Sequence, residues 1–293
     1  MSSVFTFPIL IQGLISGILL GGVYALTALG LTLIFGVMRI INIAHGTVLM
    51  IGAYFTYWLF TLYGLNPFLS LLVSIPATFL LGAVLQQTVI RRVIGAPELT
   101  ALLVTFGISI ILTNGAFYLW SPNLRTVSFL SGSWHLGGLA FSTPRTVASL
   151  MALGITVAAL LFLKYSRTGK AIRATAQHRE VATVCGIDVR RIDLLTFGLG
   201  SALTGAAGSL VSFMFAIYPE MGPLYTLKAF SVVILGGLGS TLGSLLGGLV
   251  LGVVESYASI FFNAQIAEAV AYILLVLILL VRPHGFLGEA AKE

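Results

Sequence analysis

From residue 9 to residue 281 the chain is a succession of apolar runs, most of them near twenty residues long and almost free of Asp, Glu, Lys and Arg. A helix rises about 1.5 Å per residue, so about 20 apolar residues cross the roughly 30 Å hydrocarbon layer of a bilayer. The runs that fit this length, some narrowly, are 9–35, 47–63, 68–90, 99–120, 147–163, 194–217 and 267–281. Between the last two, 229–262 is long enough for one crossing with an extra piece or for two short ones. The expected fold is therefore all-α: one polytopic transmembrane domain over 1–293, with about eight spanning helices plus a re-entrant or short extra helix.

Composition leaves no soluble alternative. Only 8% of the 293 residues are charged and 58% are hydrophobic, whereas a soluble domain carries roughly a quarter charged residues. The net charge of +6 would suit nucleic acid, but the charges sit at the ends of apolar runs and in one central cluster, as membrane loops do. Nucleic acid is not an expected partner. Residues 1–7 hold no Lys or Arg, and the run that follows is too long for a signal-peptide core, so it reads as the approach to the first span.

Basic residues orient the chain. With 164–193 in the cytoplasm, Arg39, Arg91 and Arg92 join Lys164, Arg167, Lys170, Arg173, Arg179, Arg190 and Arg191 on one side. Arg125, Arg145 and Lys228 remain opposite, which places the N-terminus outside. Arg282 and Lys292 favour a cytoplasmic C-terminus, against Glu289 and Glu293. The outside loop 121–146 is rich in Ser, Gly and Pro and contains Trp134 and His135; Trp120 just before it reads as an interfacial anchor.

Little here suits covalent or metal chemistry. Cys185 is the single cysteine, which excludes a disulfide within the chain and a Cys-based zinc site; it reads as a packing residue. His45, His135, His178 and His284 are scattered over different loops, so no catalytic and no metal residues are assigned. Thr168-Gly169-Lys170 lacks the upstream Gly and the following Ser or Thr of a phosphate-binding loop. The run Gly236-Gly237-Leu238-Gly239 reads as a break in the membrane, not a dinucleotide motif. The small residues Gly198, Gly200, Ser201, Thr204, Gly205 and Gly208, like Gly243, Gly247, Gly248 and Gly252, form faces that let helices pack closely in lipid.

The polar residues within the apolar runs have two readings each. Asn42 and His45, where the first two spans meet, either satisfy backbone groups at a break or line a substrate path. Glu255 is a functional carboxylate inside the membrane or a helix-end charge. Lys228 reads as an outside residue that snorkels to the interface. The loop 164–193 has apolar residues at helical spacing, with Gly186 where a helix would end. Its residues alone suit contact with anionic lipid as well as with a protein.

Three stretches carry a resemblance. Glu180–Gly186, EVATVCG, resembles the Glu-Ala-Ala-x-x-x-Gly signature of ABC importer permeases, with Val at the middle position. Residues 24–46, YALTALGLTLIFGVMRIINIAHG, look like the first signature block of permeases for branched-chain amino acids. The tail 280–288, LVRPHGFLG, resembles that family's ending, and 91–109 and 194–210 are similar to it as well. The match is to the first of two paired permease subunits.

The resemblance implies a transport subunit, not an enzyme, in the inner (cytoplasmic) membrane of a bacterium or archaeon, binding no cofactor itself. It implies a second permease subunit, two ATP-binding subunits carrying ATP and Mg, a periplasmic or surface-anchored binding protein, and contact with membrane lipid. ATPase coupling falls on Arg179, Glu180, Val181, Ala182 and Gly186. The substrate path is expected at Asn42, His45, Gly46 and Glu255. The implied cargo is a branched-chain amino acid; the alternatives are an importer of urea or short amides and, from another class, a stand-alone secondary transporter or channel.

Overall fold

The computed structural model describes residues 7–129, 132–136, 139–282 and 285–287. Helices α1 (Phe7–Met38), α2 (His45–Tyr63), α3 (Pro67–Thr88), α4 (Glu98–Trp120) and α5 (Thr143–Tyr165) lead to the short α6 (Arg167–Gln177) and α7 (Arg179–Val184). Then follow α8 (Val189–Val211), α9 (Met221–Gly236), α10 (Thr241–Phe261) and α11 (Ala264–Val281). A small antiparallel hairpin, β1 (Ser133–Leu136) with β2 (Leu139–Ser142), lies in the loop after α4. Among the described residues, seven helices are long and apolar enough to cross a membrane, and α9 and α11 are shorter apolar helices.

Helix ends follow local chemistry. Gly64 closes α2 in the left-handed region at φ 62°. Asn66 caps α3, its side chain accepting from the Phe68 N–H, and Pro67 occupies the first turn, where no N–H is needed. Two expected boundaries move. The segment 194–217 ends as a helix at Val211, and a turned segment tied to the α4 loop follows; Arg125 and Ile217 exchange backbone hydrogen bonds of 2.9 and 2.7 Å. The stretch 229–262 resolves into two helices, because the first begins early, at Met221, and Gly237 and Gly239 turn the chain at φ 101° and 81°.

The bundle is assembled around α1, which is buried along most of its length. Helix α10 runs antiparallel to it: Gly17 faces Gly252 and Val253, Gly21 faces Gly248 and Leu249, and Gly36 lies by Gly239. A Cβ on Gly252 would collide with the backbone of Gly17 and Gly21, so the two helices touch main chain to main chain. Helix α8 packs in the same way on α2 and α3, through Gly205 against Gly52 and Thr78, and through Gly208 against Leu49. Away from these seams, α3, α4, α5 and α11 expose Leu72, Leu80, Leu103, Ile111, Leu150 and Leu280. Such a surface matches a hydrocarbon solvent, and the chain is a multi-pass membrane protein.

The antiparallel pairing also settles the C-terminal end. The α9–α10 turn lies at the same end of the bundle as Met38. Phe286 and Leu287 donate backbone hydrogen bonds of 2.9 and 3.0 Å to Leu235 and Gly236 at the end of α9. The end of α11 therefore shares the face that carries α6 and α7, and Arg282 joins its basic residues. Glu289 and Lys292 lie outside the described residues.

Tight seams and open glycines should respond oppositely to one added methyl. Gly252→Ala forces α1 and α10 apart and should lower stability by on the order of 1–3 kcal/mol. Gly107→Ala, with nothing within 4 Å of the new methyl, should leave the melting temperature in detergent unchanged or slightly raised.

Candidate functional site

The basic face is organised by α6 and α7. Ser166 caps α6, accepting from the Gly169 N–H at 2.8 Å, and Gly169, Ile172 and Thr175 bury one side of the helix. The chain breaks at His178, in extended conformation (φ −145°, ψ 98°), and α7 follows at a new angle. It ends where Gly186 enters the left-handed region at φ 82°. Gly186 then donates to Thr183 O and Ile187 to Ala182 O, both at 3.0 Å, a Schellman closure that satisfies two carbonyls of the last turn. Asp188 caps α8, accepting from the Arg191 N–H at 3.2 Å; α8 thus begins at Val189, earlier than the 194 expected from the apolar run.

Helix α7 is held from one side only. Arg179 donates to both oxygens of Asp193 on α8, at 3.0 and 2.5 Å, and to the Val37 carbonyl at the end of α1 at 3.4 Å. The two-pronged geometry fixes the guanidinium against a nearly buried carboxylate. Ala182 is buried, whereas Glu180, Val181 and Val184 are exposed, Val184 to 88%. Under α7 lies a cavity of about 530 Å³, reaching Arg39, Ile94, Glu98 and His178. Of the expected coupling residues, Arg179 and Ala182 anchor the helix, Gly186 ends it, and Glu180 and Val181 are exposed along the rim of that cavity.

At the α1–α2 break, Arg39 adopts a left-handed φ of 53°, and neighbouring helices supply the missing hydrogen bonds. Thr105 of α4 accepts from Ile43 N–H and donates to the Ile41 carbonyl; Thr226 of α9 accepts from Gly46 N–H and donates to the Ile43 carbonyl. His45 lies with Nε2 2.9 Å from Thr27 O and 3.0 Å from Thr204 Oγ1, which ties α1, α2 and α8. The carbonyl can only accept, so Nε2 carries the proton. Asn42 is buried, and its Oδ1 has no hydrogen-bond partner among the described residues.

Lys228 departs from the expectation of an outside, snorkelling residue. Only 7% exposed, it donates from Nζ to Glu255 Oε1 at 2.7 Å and to Tyr24 Oη at 2.8 Å. The reason is the carboxylate on the adjacent helix: at this depth an ion pair is better than a lone charge bent toward the interface. Glu255 is equally buried, not a helix-end charge, and its Oε2 has no hydrogen-bond partner among the described residues. The sequence held a signal for this pairing, one cation and one anion of opposite sign inside two consecutive apolar helices. His284 lies outside the described residues.

Removing the anchor of α7 tests its rigidity. Asp193→Ala leaves the Arg179 guanidinium without its partner, a loss on the order of 1–3 kcal/mol. Amide hydrogen exchange over 179–187 should accelerate by about tenfold or more, while that of α1 and α10 stays slow.

The chain matches the family of branched-chain amino acid transport system permease components over residues 13–279. It is 32% identical over 303 residues to the high-affinity branched-chain amino acid transport system permease protein LivH of Escherichia coli strain K12, covering 98% of each chain. To BraD, the protein of the same description in Pseudomonas aeruginosa, it is 34% identical over 298 residues, covering 97% of each. A probable branched-chain amino acid transport permease of Methanocaldococcus jannaschii is 28% identical, covering 94% of this chain and 92% of its own. No solved structure matches. The full-length similarity, with a bundle of apolar helices and one braced basic loop, makes this chain a member of the family of permease components of branched-chain amino acid transport systems.

Proposed function

We propose that this permease subunit of an ABC importer carries a branched-chain amino acid inward across the cytoplasmic membrane of a prokaryote. Its partners are a second permease subunit, two ATP-binding subunits that hydrolyse ATP with Mg, and a binding protein on the outer side. The observation that carries this reading is α7, a short helix braced on the membrane bundle that shows apolar side chains to water. Val181 and Val184 are exposed on the polar, basic face, where a free surface would favour charged residues, so a protein groove is the fitting environment.

Motion of a docked ATPase reaches the bundle through the brace. Arg179 links α7 to α8 and to the end of α1, and the closed helix end at Gly186 keeps the element stiff, so a displacement is passed on as a rigid-body shift. Alternating access then opens the bundle first to the binding protein and then to the cytoplasm. Asn42, His45, Gly46 and Glu255 are proposed to border the substrate path. The support is that His45 and Gly46 lie where α2 meets α1, α8 and α9, that Glu255 lies on α10 beside α1 and α9, and that acceptor atoms of Asn42 and Glu255 have no hydrogen-bond partner among the described residues.

In proteoliposomes holding the full complex, Val184→Asp or Glu180→Lys should reduce ATP-driven leucine uptake about tenfold or more with membrane insertion intact. Wild-type uptake in both variants would remove the coupling role of α7. Uptake of urea without leucine, or uptake without ATP, would remove the proposed cargo or the proposed energy source.

A further inference from the structure

The Lys228–Glu255 pair lies where α1, α9 and α10 meet, with Tyr24, Lys228 and Glu255 each well inside their helices. Two charges at this depth carry a desolvation penalty that their attraction offsets only in part, and well-packed apolar residues would brace the helices at least as well. The pair is also incomplete. Lys228 is held by Glu255 Oε1, Tyr24 Oη and the rings of Tyr24 and Tyr225, 5.0 and 6.0 Å from its ammonium. Glu255 Oε2 is buried and has no hydrogen-bond partner among the described residues. A buried carboxylate oxygen without a donor is a place for a cation.

The helix carrying Lys228 is the one least tied to a full crossing. At 16 residues α9 is short, and it is bounded below by Gly237 and Gly239 in the left-handed region. Short, glycine-interrupted helices near the midplane are the usual material of substrate sites in transporters.

We propose that Lys228 and Glu255 form the charge-recognition site for the transported amino acid, which exchanges their internal pair for two pairs with itself. The α-carboxylate of the substrate replaces Glu255 at the Lys228 ammonium, and its α-ammonium is received by the freed Glu255 carboxylate. Net charge is zero in the empty and in the loaded site, so neither state leaves an uncompensated charge at membrane depth. Tilting α9 away from α10 separates the two side chains and opens the space between them. An uncharged amide can hydrogen-bond to both groups but compensates neither charge, so it is held more weakly than the zwitterion. This inference rests on the amino acid reading given above.

The test is ATP-driven uptake of radiolabelled leucine by the complete transporter in proteoliposomes, with loaded binding protein outside and assembly followed by co-purification of the subunits. Lys228→Met, Glu255→Gln and the double variant should each lower uptake about tenfold or more, the loss of a charge-assisted contact. A brace alone predicts the reverse for the double variant, which has no unpaired charge; recovery of wild-type uptake there would overturn the proposal. Should the double variant not assemble, Glu255→Asp decides. It keeps both charges but withdraws the carboxylate by one methylene, and uptake at saturating binding protein should fall about tenfold; uptake at the wild-type rate would overturn the proposal. Absence of ATP-driven leucine uptake by the wild-type complex would sink the amino acid reading, and this inference with it; wild-type uptake matched by the double variant would sink the inference alone.

Discussion

The main-chain contact between α1 and its neighbours is the interaction on which the remaining structure depends. Lipid supplies no hydrophobic drive between helices, so their association rests on close packing and hydrogen bonds. Gly17 and Gly21 against Gly248 and Gly252, and Gly30 against Gly200, bring backbones to a separation that any larger side chain would prevent. With α1 held by α10 on one side and α8 on another, Tyr24, Thr27 and Val37 are presented to α9, α2 and α7 in fixed positions. The buried pair, the α1–α2 break and the braced loop all use an atom of α1.

Hydroxyl side chains do the second part of the work. The chain leaves helical geometry between Met38 and His45 inside the bundle, where no solvent satisfies exposed amides and carbonyls. Thr105 and Thr226 reach across from α4 and α9 to fill those positions, while Thr204 of α8 meets the His45 ring. Pairs such as Thr32 with Ser244, at 2.5 Å, and Ser74 with Ser209, at 2.7 Å, add polar links between helices that are otherwise joined by dispersion. A break so well supported is stable without being a spanning helix, and it brings Asn42 and His45 close to α9, the helix that carries Lys228.

On the basic face the same economy applies to a much shorter element. Helix α7 has six residues, too few to be stable alone, and takes its shape from His178 before it, Gly186 after it and the Arg179–Asp193 pair beneath it. One face is tied down and the other is free. An element so arranged suits the proposed transfer of motion between a soluble subunit and the membrane helices, because neither end of it has slack.

Length and hydropathy alone determined the all-helical membrane class, most spans and the basic face, because crossing a hydrocarbon layer is a local requirement that each segment meets by itself. The resemblance of residues 24–46 to a permease signature likewise needed only the order of residues. The α9–α10 division was legible only in part, since Gly236–Gly239 marked a break without saying where the preceding helix began. Tertiary structure alone decided the partners of Lys228 and Asp193, one read from sequence as an outside cation and the other as a loop end. Their burial depends on carboxylates and guanidinium groups brought from other helices, and no local pattern encodes that meeting. It also decided the side of the C-terminal end, through the antiparallel seam of α1 with α10 and the return of Phe286 and Leu287 to α9. Local chemistry fixed what each segment is; the glycine seams fixed which charges meet.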